Sequence, residues 1–258
     1  MRVIALQLDI AWEDKSKNYD KVISLLEAEN FESGGLCVLP ELFSSGFSMN
    51  VAKICEPIDR EKGTKEFLSR LAKRFGLFVV GGLAELADGN LGRNIACVYA
   101  PDGHQIGRYC KIHPFSFGQE DKYYLSGEEI IRFDCNGFVA CPFICYDLRF
   151  PELFRIAVRR YSANLFLVLA NWPAARREHW AVLLRARAIE NQAYVIGVNR
   201  IGNDINHRYS GDSMIIGPKG EIIALAEDCE CVIQGDIDVE VVNCWRDKFP
   251  VLNDIKLI

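Results

Sequence analysis

Cys145 closes the apolar run Phe138-Val139-Ala140-Cys141-Pro142-Phe143-Ile144 and opens the polar segment Tyr146-Asp147-Leu148-Arg149-Phe150-Pro151-Glu152, after which residues 153–160 carry a helix-like pattern. A thiol at a strand-to-helix junction is placed for nucleophilic attack, because the turn exposes the sulfur and aims backbone N–H groups into the space before it. Such donors lower a thiol's pKa and can hold a developing oxyanion. For one cysteine taken alone, a buried core position is the plainer reading. Two further positions weigh against it. Glu41, in Val38-Leu39-Pro40-Glu41-Leu42-Phe43, follows an apolar run over 35–39 that reads as a buried strand. An ionised carboxylate there needs a partner, and desolvation moves it toward the range of a general acid/base. A capping or salt-bridged glutamate is the competing reading. Lys111 belongs to the alternating segment Ile106-Gly107-Arg108-Tyr109-Cys110-Lys111, read as a strand and followed by the loop Ile112-His113-Pro114-Phe115. By itself a strand lysine is ordinarily a solvated charge.

The elements that must position these residues alternate along the chain. Strand-like segments at 3–8, 35–39 and 78–82 alternate with helical patterns at 16–29 and 64–74; the second of these places Phe67, Leu68, Leu71 and Ala72 on one face. Residues 94–100 and 106–111 make a hairpin around Pro101-Asp102-Gly103. In the second half, apolar strands at 138–144, 165–169 and 194–199 are separated by helices at 153–161 and 178–192, and segments 213–217, 221–226 and 231–236 read as a three-strand meander. No linker or internal repeat interrupts the pattern, so one domain over 1–258 is expected, with mixed sheets and outer helices in a layered α/β sandwich.

Bulk composition narrows the function classes. Hydrophobic residues make up 50% of the 258, enough for a substantial core, and the net charge of −5 contains no block of one sign. Nucleic acid and an anionic membrane are therefore not expected as partners. No run of apolar residues reaches membrane-spanning length, and Met1-Arg2 leads directly into a strand with no signal-peptide core. Ten cysteines, mostly inside apolar strands, then read as reduced thiols of a cytoplasmic protein. Cys135, Cys141 and Cys145 lack metal-ligand spacing and Cys229-Glu230-Cys231 is too tight, so no structural zinc is expected.

Glu41, Lys111 and Cys145, in this order and these contexts, resemble the carbon–nitrogen hydrolase (nitrilase) superfamily. Matching segments begin at Val3-Ile4-Ala5-Leu6-Gln7-Leu8 and include Leu39-Pro40-Glu41, Lys111-Ile112-His113, Cys145 to Glu152, Ala170-Asn171-Trp172-Pro173, Arg185-Ala186-Arg187-Ala188-Ile189-Glu190-Asn191 and Ser210-Gly211-Asp212-Ser213-Met214-Ile215-Ile216. Each is weak alone; their order and spacing carry the resemblance. It implies a four-layer α-β-β-α sandwich with two mixed sheets and a homodimer joined through helices. The tail 239–258, with Trp245, Phe249, Val251 and Leu252, either reaches that partner or docks on its own subunit. Glu120, nine positions after Lys111, matches the second glutamate such enzymes carry, although Gly118-Gln119-Glu120-Asp121-Lys122 is a polar loop where a surface charge is the plain alternative.

The resemblance further implies hydrolysis of a non-peptide C–N bond without metal or organic cofactor. Glu41 would take the thiol proton of Cys145, and the thiolate would attack an amide carbonyl. The Lys111 ammonium and the Tyr146 N–H would hold the oxyanion, with Glu120 orienting Lys111 and the substrate amide. His113 is left a structural part. Within the superfamily, the segments after Cys145, around Trp172 and over 176–191 are most similar to the omega-amidases, which remove the terminal amide of 2-oxoglutaramate or 2-oxosuccinamate. The carboxylate of such a substrate needs a cation or several N–H donors; Arg149, Arg176 and Arg177 are the candidates, against surface or salt-bridge roles, and Trp172, Phe43, Phe47 and Phe115 could wall the pocket, against plain core positions. The alternatives are a broader aliphatic amidase, an N-carbamoyl amino acid hydrolase, a catalytically idle interaction subunit, and a redox sensor with Cys141 as resolving thiol.

Overall fold

A computed structural model describes residues 1–58 and 63–256. The first half contains β1 (Arg2–Gln7), α1 (Lys15–Glu27), β2 (Leu36–Val38), α2 (Val51–Ile54), α3 (Thr64–Phe75), β3 (Phe78–Leu86), β4 (Gly92–Tyr99) and β5 (Gln105–Cys110). The second half continues with β6 (Phe133–Cys135), β7 (Phe138–Ile144), α4 (Pro151–Tyr161), β8 (Leu165–Ala170), α5 (Arg177–Asn191) and β9 (Tyr194–Asn199). After these come β10 (Ile201–Asn203), β11 (Arg208–Ser210), β12 (Met214–Ile216), β13 (Ile222–Leu225), β14 (Cys231–Asp236) and α6 (Val239–Lys248). Two six-stranded mixed sheets result, ordered β14-β1-β2-β3-β4-β5 and β13-β12-β9-β8-β7-β6, with β10 and β11 as a separate hairpin.

Side-chain alternation sets the layers. Val3, Ala5, Leu36, Val38, Val80, Ala96 and Val98 face the second sheet. Their neighbours Ile4, Leu6, Cys37, Val79, Ile95 and Cys97 face a separate core closed by Val22 and Leu26 of α1 and Leu68, Leu71 and Ala72 of α3. This is the two-residue period of a strand buried on both faces. Leu153, Phe154 and Ala157 of α4 and Trp180, Leu184 and Ala188 of α5 cover the second sheet. The layers are therefore α-β-β-α. Local signals fix the helix ends: the Asp14 side chain accepts from the Lys17 N–H at 3.1 Å ahead of α1, Pro151 opens α4, and Gly76 ends α3 at a φ of 62°. Among the described residues no helix is long and apolar enough to cross a membrane.

Three expectations change. The strand at 78–82 extends to Leu86, and the one at 106–111 stops at Cys110, leaving Lys111 just beyond it. The meander is broken, because β14 leaves β13 and pairs antiparallel with β1, from Arg2↔Asp236 to Gln7↔Cys231. Ile233 and Ile237 are thereby buried between the sheets, and Gly235 lets β14 pass close to the second sheet: a Cβ there would lie 3.1 Å from both Ile215 and Ile223. Alternation within a strand does not encode which edge it joins. The tail docks on its own subunit through α6. Buried Val242 anchors it, and Arg246 donates to the carbonyls of Ala163 (2.6 Å), Gln192 (3.1 Å) and Asn191 (3.2 Å) at the ends of α4 and α5. Burial pulls the Arg246 pKa down to about 10. Residues 257–258 of that tail lie outside the described residues.

The strands that present the site are clamped by Glu85 on β3, which is fully buried and pairs with Lys65 of α3 at 2.6 Å and, across β4, with Arg108 of β5. Burial alone would raise its pKa, yet Arg108 and Lys65 hold it below the ordinary 4.5. The clamp therefore stabilises the fold above pH 4.5, and its contribution is lost as pH falls through the lower folded value. Glu85→Gln should cost on the order of 3 kcal/mol near neutrality. Denaturation measured across pH should show the gap to wild type constant above about pH 5 and closing in acid.

Candidate active site

The parallel strands β2, β7 and β8 end at one edge of the sandwich, where open α/β sheets present ligand sites. Glu41 follows β2, Cys145 follows β7, and Asn171 and Trp172 follow β8. Cys145 is the first residue of a 3-10 turn (Cys145–Arg149), and α4 begins only afterwards. Its φ is +46°, a left-handed conformation that a non-glycine residue adopts only when its surroundings enforce it. Asp147 supplies that enforcement. Its buried carboxylate accepts from the Ile144 N–H (3.0 Å), the His113 N–H (3.0 Å) and the Tyr109 hydroxyl (2.7 Å), and lies 2.9 Å from His113 Nδ1. His113 also stacks on Phe150 at 3.7 Å, which is the structural part expected of it. Because β5 has already ended, His113 and Lys111 do not share a strand face.

Behind Cys145 lies a fully buried charge cluster. Lys111 Nζ donates to Glu41 Oε1 at 2.8 Å and to Glu120 Oε2 at 2.8 Å. Asn94 Nδ2 donates to the same Glu41 oxygen at 2.7 Å and to Glu120 Oε1 at 2.9 Å. The other Glu41 oxygen accepts from the Asn171 backbone N–H at 2.8 Å, while Asn171 Nδ2 reaches the Glu41 carbonyl at 2.7 Å. Gly82 makes room for this segment, since a Cβ there would sit 2.6 Å from Leu42 N and 2.7 Å from Glu41 Cα. Glu120 is no surface charge: it is fully buried, and the Phe115 N–H donates to it at 2.6 Å. Burial and the Glu41 charge raise the Glu120 pKa, opposed by Lys111 and the Asn94 hydrogen bond. For Lys111, burial disfavours the charge, but Glu120 and Glu41 prevail and keep it an ammonium above the ordinary 10.5. Burial and the Glu41 charge likewise push the Cys145 thiol well above its ordinary 9.0, against the pull of Lys111.

Cys145, Lys111 and Asn171 open into a cleft of about 400 Å³, mouth included, walled by Phe47, Phe115, Tyr146, Arg149, Trp172, Arg176, His207 and Tyr209. Arg149 lies over the Trp172 ring at 4.7 Å and Arg176 over the Phe115 ring at 5.4 Å. Neither arginine has a carboxylate partner among the described residues; Arg149 reaches only His179 Nδ1, at 3.3 Å. Arg177 points elsewhere and pairs with Asp212 at 2.5 Å. Phe43 also departs from expectation, being packed between the first sheet and its helices. Cys141 lies within β7, four residues and about 13 Å of extended chain from Cys145, too far to resolve a sulfenate there. Asn94, Asn171, Asp147, His207 and Tyr209 were not singled out from sequence. Asn171 lay inside a matching segment, and Asp147 directly follows Tyr146.

The carbon–nitrogen hydrolase family profile matches residues 2–247. The chain is 37% identical over 257 residues to an omega-amidase of Yersinia enterocolitica, covering 98% of this chain and 96% of that one. It is 32% identical over 255 residues to the 2-oxoglutaramate amidase of Bacillus subtilis, covering 98% and 97%. A crystal structure from Xanthomonas campestris, of a CN-hydrolase superfamily protein with an arsenic adduct in its active site, matches with a TM-score of 0.93 at 34% identity, covering 100% of this chain and 98% of that one. The chain belongs to the carbon–nitrogen hydrolase family.

With its pKa raised, the resting Cys145 thiol is protonated near neutrality. Labelling of the Cys145 peptide by iodoacetamide, followed by mass spectrometry, should accelerate continuously up to about pH 9. A plateau already reached below about pH 7 would reveal a preformed thiolate instead.

Proposed function

We propose that this chain is an omega-amidase, hydrolysing the terminal amide of a short dicarboxylic acid monoamide such as 2-oxoglutaramate. The observation that carries this reading is the pair of arginines, Arg149 and Arg176, lining the same cleft as Cys145 with no carboxylate partner among the described residues. An anionic substrate end bound by them forms charge-assisted hydrogen bonds and holds the amide against the sulfur. The relatives named as omega-amidase and 2-oxoglutaramate amidase, matched over nearly their whole lengths, support the same substrate class.

In this mechanism Glu41 removes the thiol proton as Cys145 attacks the amide carbon, so charge leaves the sulfur at the moment of bond formation. The carbonyl electrons move to oxygen, where the Lys111 ammonium and the Tyr146 N–H receive them. Collapse of the tetrahedral species breaks the C–N bond, with the proton on Glu41 passing to the departing ammonia. Water, deprotonated by Glu41, then cleaves the thioester and frees the acid and the thiol. Glu120 accepts from Lys111 throughout and keeps its ammonium aimed at the oxyanion. Trp172 and Phe115 wall the cleft and carry the arginines. No step requires a metal or organic cofactor. In this reading residues 1–258 form a single domain that works as a cytoplasmic homodimer: Val182, Ile189, Ile222, Ile223 and Leu225 offer exposed apolar surface to a second copy, and ten unpaired cysteines suit a reducing compartment.

Ammonia release from 2-oxoglutaramate, 2-oxosuccinamate, an uncharged amide of equal length, a nitrile and an N-carbamoyl amino acid tests the substrate class. The 2-oxo acid amides should lead the uncharged amide in kcat/KM by at least about a hundredfold, roughly 3 kcal/mol. Arg149→Ala or Arg176→Ala should erase that lead and spare the neutral amide. Faster turnover of any other class by the wild type would refute the omega-amidase reading. Cys145→Ala should abolish ammonia release, and Lys111→Ala and Glu41→Gln should each slow it by at least about a hundredfold.

A further inference from the structure

We propose that Asn94 is a positioning residue whose single amide nitrogen, shared between Glu41 and Glu120, keeps a proton off Glu120 and so holds Lys111 and Glu41 in place around Cys145. The inference rests on the amidase reading above. Asn94 Nδ2 stands 2.7 Å from Glu41 Oε1 and 2.9 Å from Glu120 Oε1, spending one N–H on each carboxylate. Its backbone carbonyl accepts from the Lys111 N–H at 2.9 Å, so the register of β4 against the end of β5 sets Asn94 beside the lysine that bridges the same two carboxylates.

Charge counting explains why an amide stands here. Two carboxylates and one ammonium leave the buried cluster with a net charge of −1, and like charges this close favour capture of a proton. A proton captured by Glu120 would cost Lys111 one of its two carboxylate partners. A neutral amide supplies two donors without adding charge; an aspartate in its place supplies none when ionised and one when protonated. The opposite amide orientation would set a carbonyl oxygen against both carboxylates. As placed, the buried Oδ1 has no partner among the described residues, so the side chain sacrifices an acceptor to keep both donors on the carboxylates. The titratable groups facing the cluster are Glu41, Glu120, Lys111, Cys145 and Tyr124, and burial keeps Tyr124 a phenol that donates to the Ser48 carbonyl at 2.7 Å.

The test uses the full chain with Asn94→Asp and Asn94→Ala, and Asn94→Ser as a one-donor variant should either fail to fold. In ammonia release, kcat should fall about a hundredfold while KM stays within about threefold. The acid limb of the kcat profile should move up by about one pH unit, because Glu120 loses the Asn94 donor that opposes its uptake of a proton. Infrared spectra near neutrality should show a protonated-carboxyl band in Asn94→Ala that is absent from wild type and removed by adding Glu120→Gln. A retained kcat, a slowed enzyme with an unmoved acid limb, or no new carboxyl band would overturn the proposal. The infrared arm needs no substrate. If the wild type releases ammonia from no amide, the amidase reading fails, and the carboxyl band still decides the role of Asn94.

Discussion

The Lys111 ammonium, held out of water between two carboxylates, is the interaction on which the rest of the site depends. A buried ammonium is costly, and only close, well-aligned partners offset the lost hydration. Glu41 and Glu120 supply them at 2.8 Å each, arriving from a strand end of the first sheet and from the loop after β5. Their own excess negative charge then needs further donors, which Asn94, the Phe115 N–H and the Asn171 N–H provide. Asn171 follows β8 of the second sheet, so the charge balance is completed only where the two sheets meet. The close passage of Glu41 over Gly82, the left-handed Leu42 and the left-handed Gln119 before Glu120 are backbone adjustments around this one cation.

Much of this was legible in the chain. Cys145 and Glu41 each end an apolar run, but taken singly they read more plainly as a core thiol and a capping or salt-bridged glutamate; their order with Lys111 and the matching segments made them legible. Glu120 was not legible locally: its neighbours are polar, and its burial comes from Lys111 and from the loop folding back to bring the Phe115 N–H onto it. Asn94 and Asp147 were silent for a related reason. An asparagine inside a strand and an aspartate in a turn look ordinary until sheet register and a left-handed Cys145 give them partners. Arg176 and Arg177 show the limit most plainly. Adjacent and chemically identical in sequence, one faces the cleft, while the other starts α5 and turns to Asp212.

The cleft keeps its two arginines in an unusual state. Burial and the neighbouring Arg176 charge lower the Arg149 pKa, so the pair repel each other without an anion between them. Aromatic faces, Trp172 under Arg149 and Phe115 under Arg176, hold both side chains in place without neutralising them. Asn199 steadies that wall, accepting from the Trp172 N–H at 2.7 Å, and the Trp172 indole N–H in turn donates to the Arg176 carbonyl at 2.8 Å. Both cations are thus fixed in place before any anion arrives.

The pairing of β14 with β1 has a consequence for how the protein is made. Arg2 and Asp236 are partners although nearly the whole chain separates them. During synthesis, β1 leaves the ribosome well before β14 and can pair with β2, but its other edge stays bare until residues 231–236 follow. An unpaired edge strand with an apolar centre at residues 3–6 invites the wrong neighbour. The newborn chain therefore carries that exposure from the emergence of β1 until β14 follows, and only then is the first sheet complete.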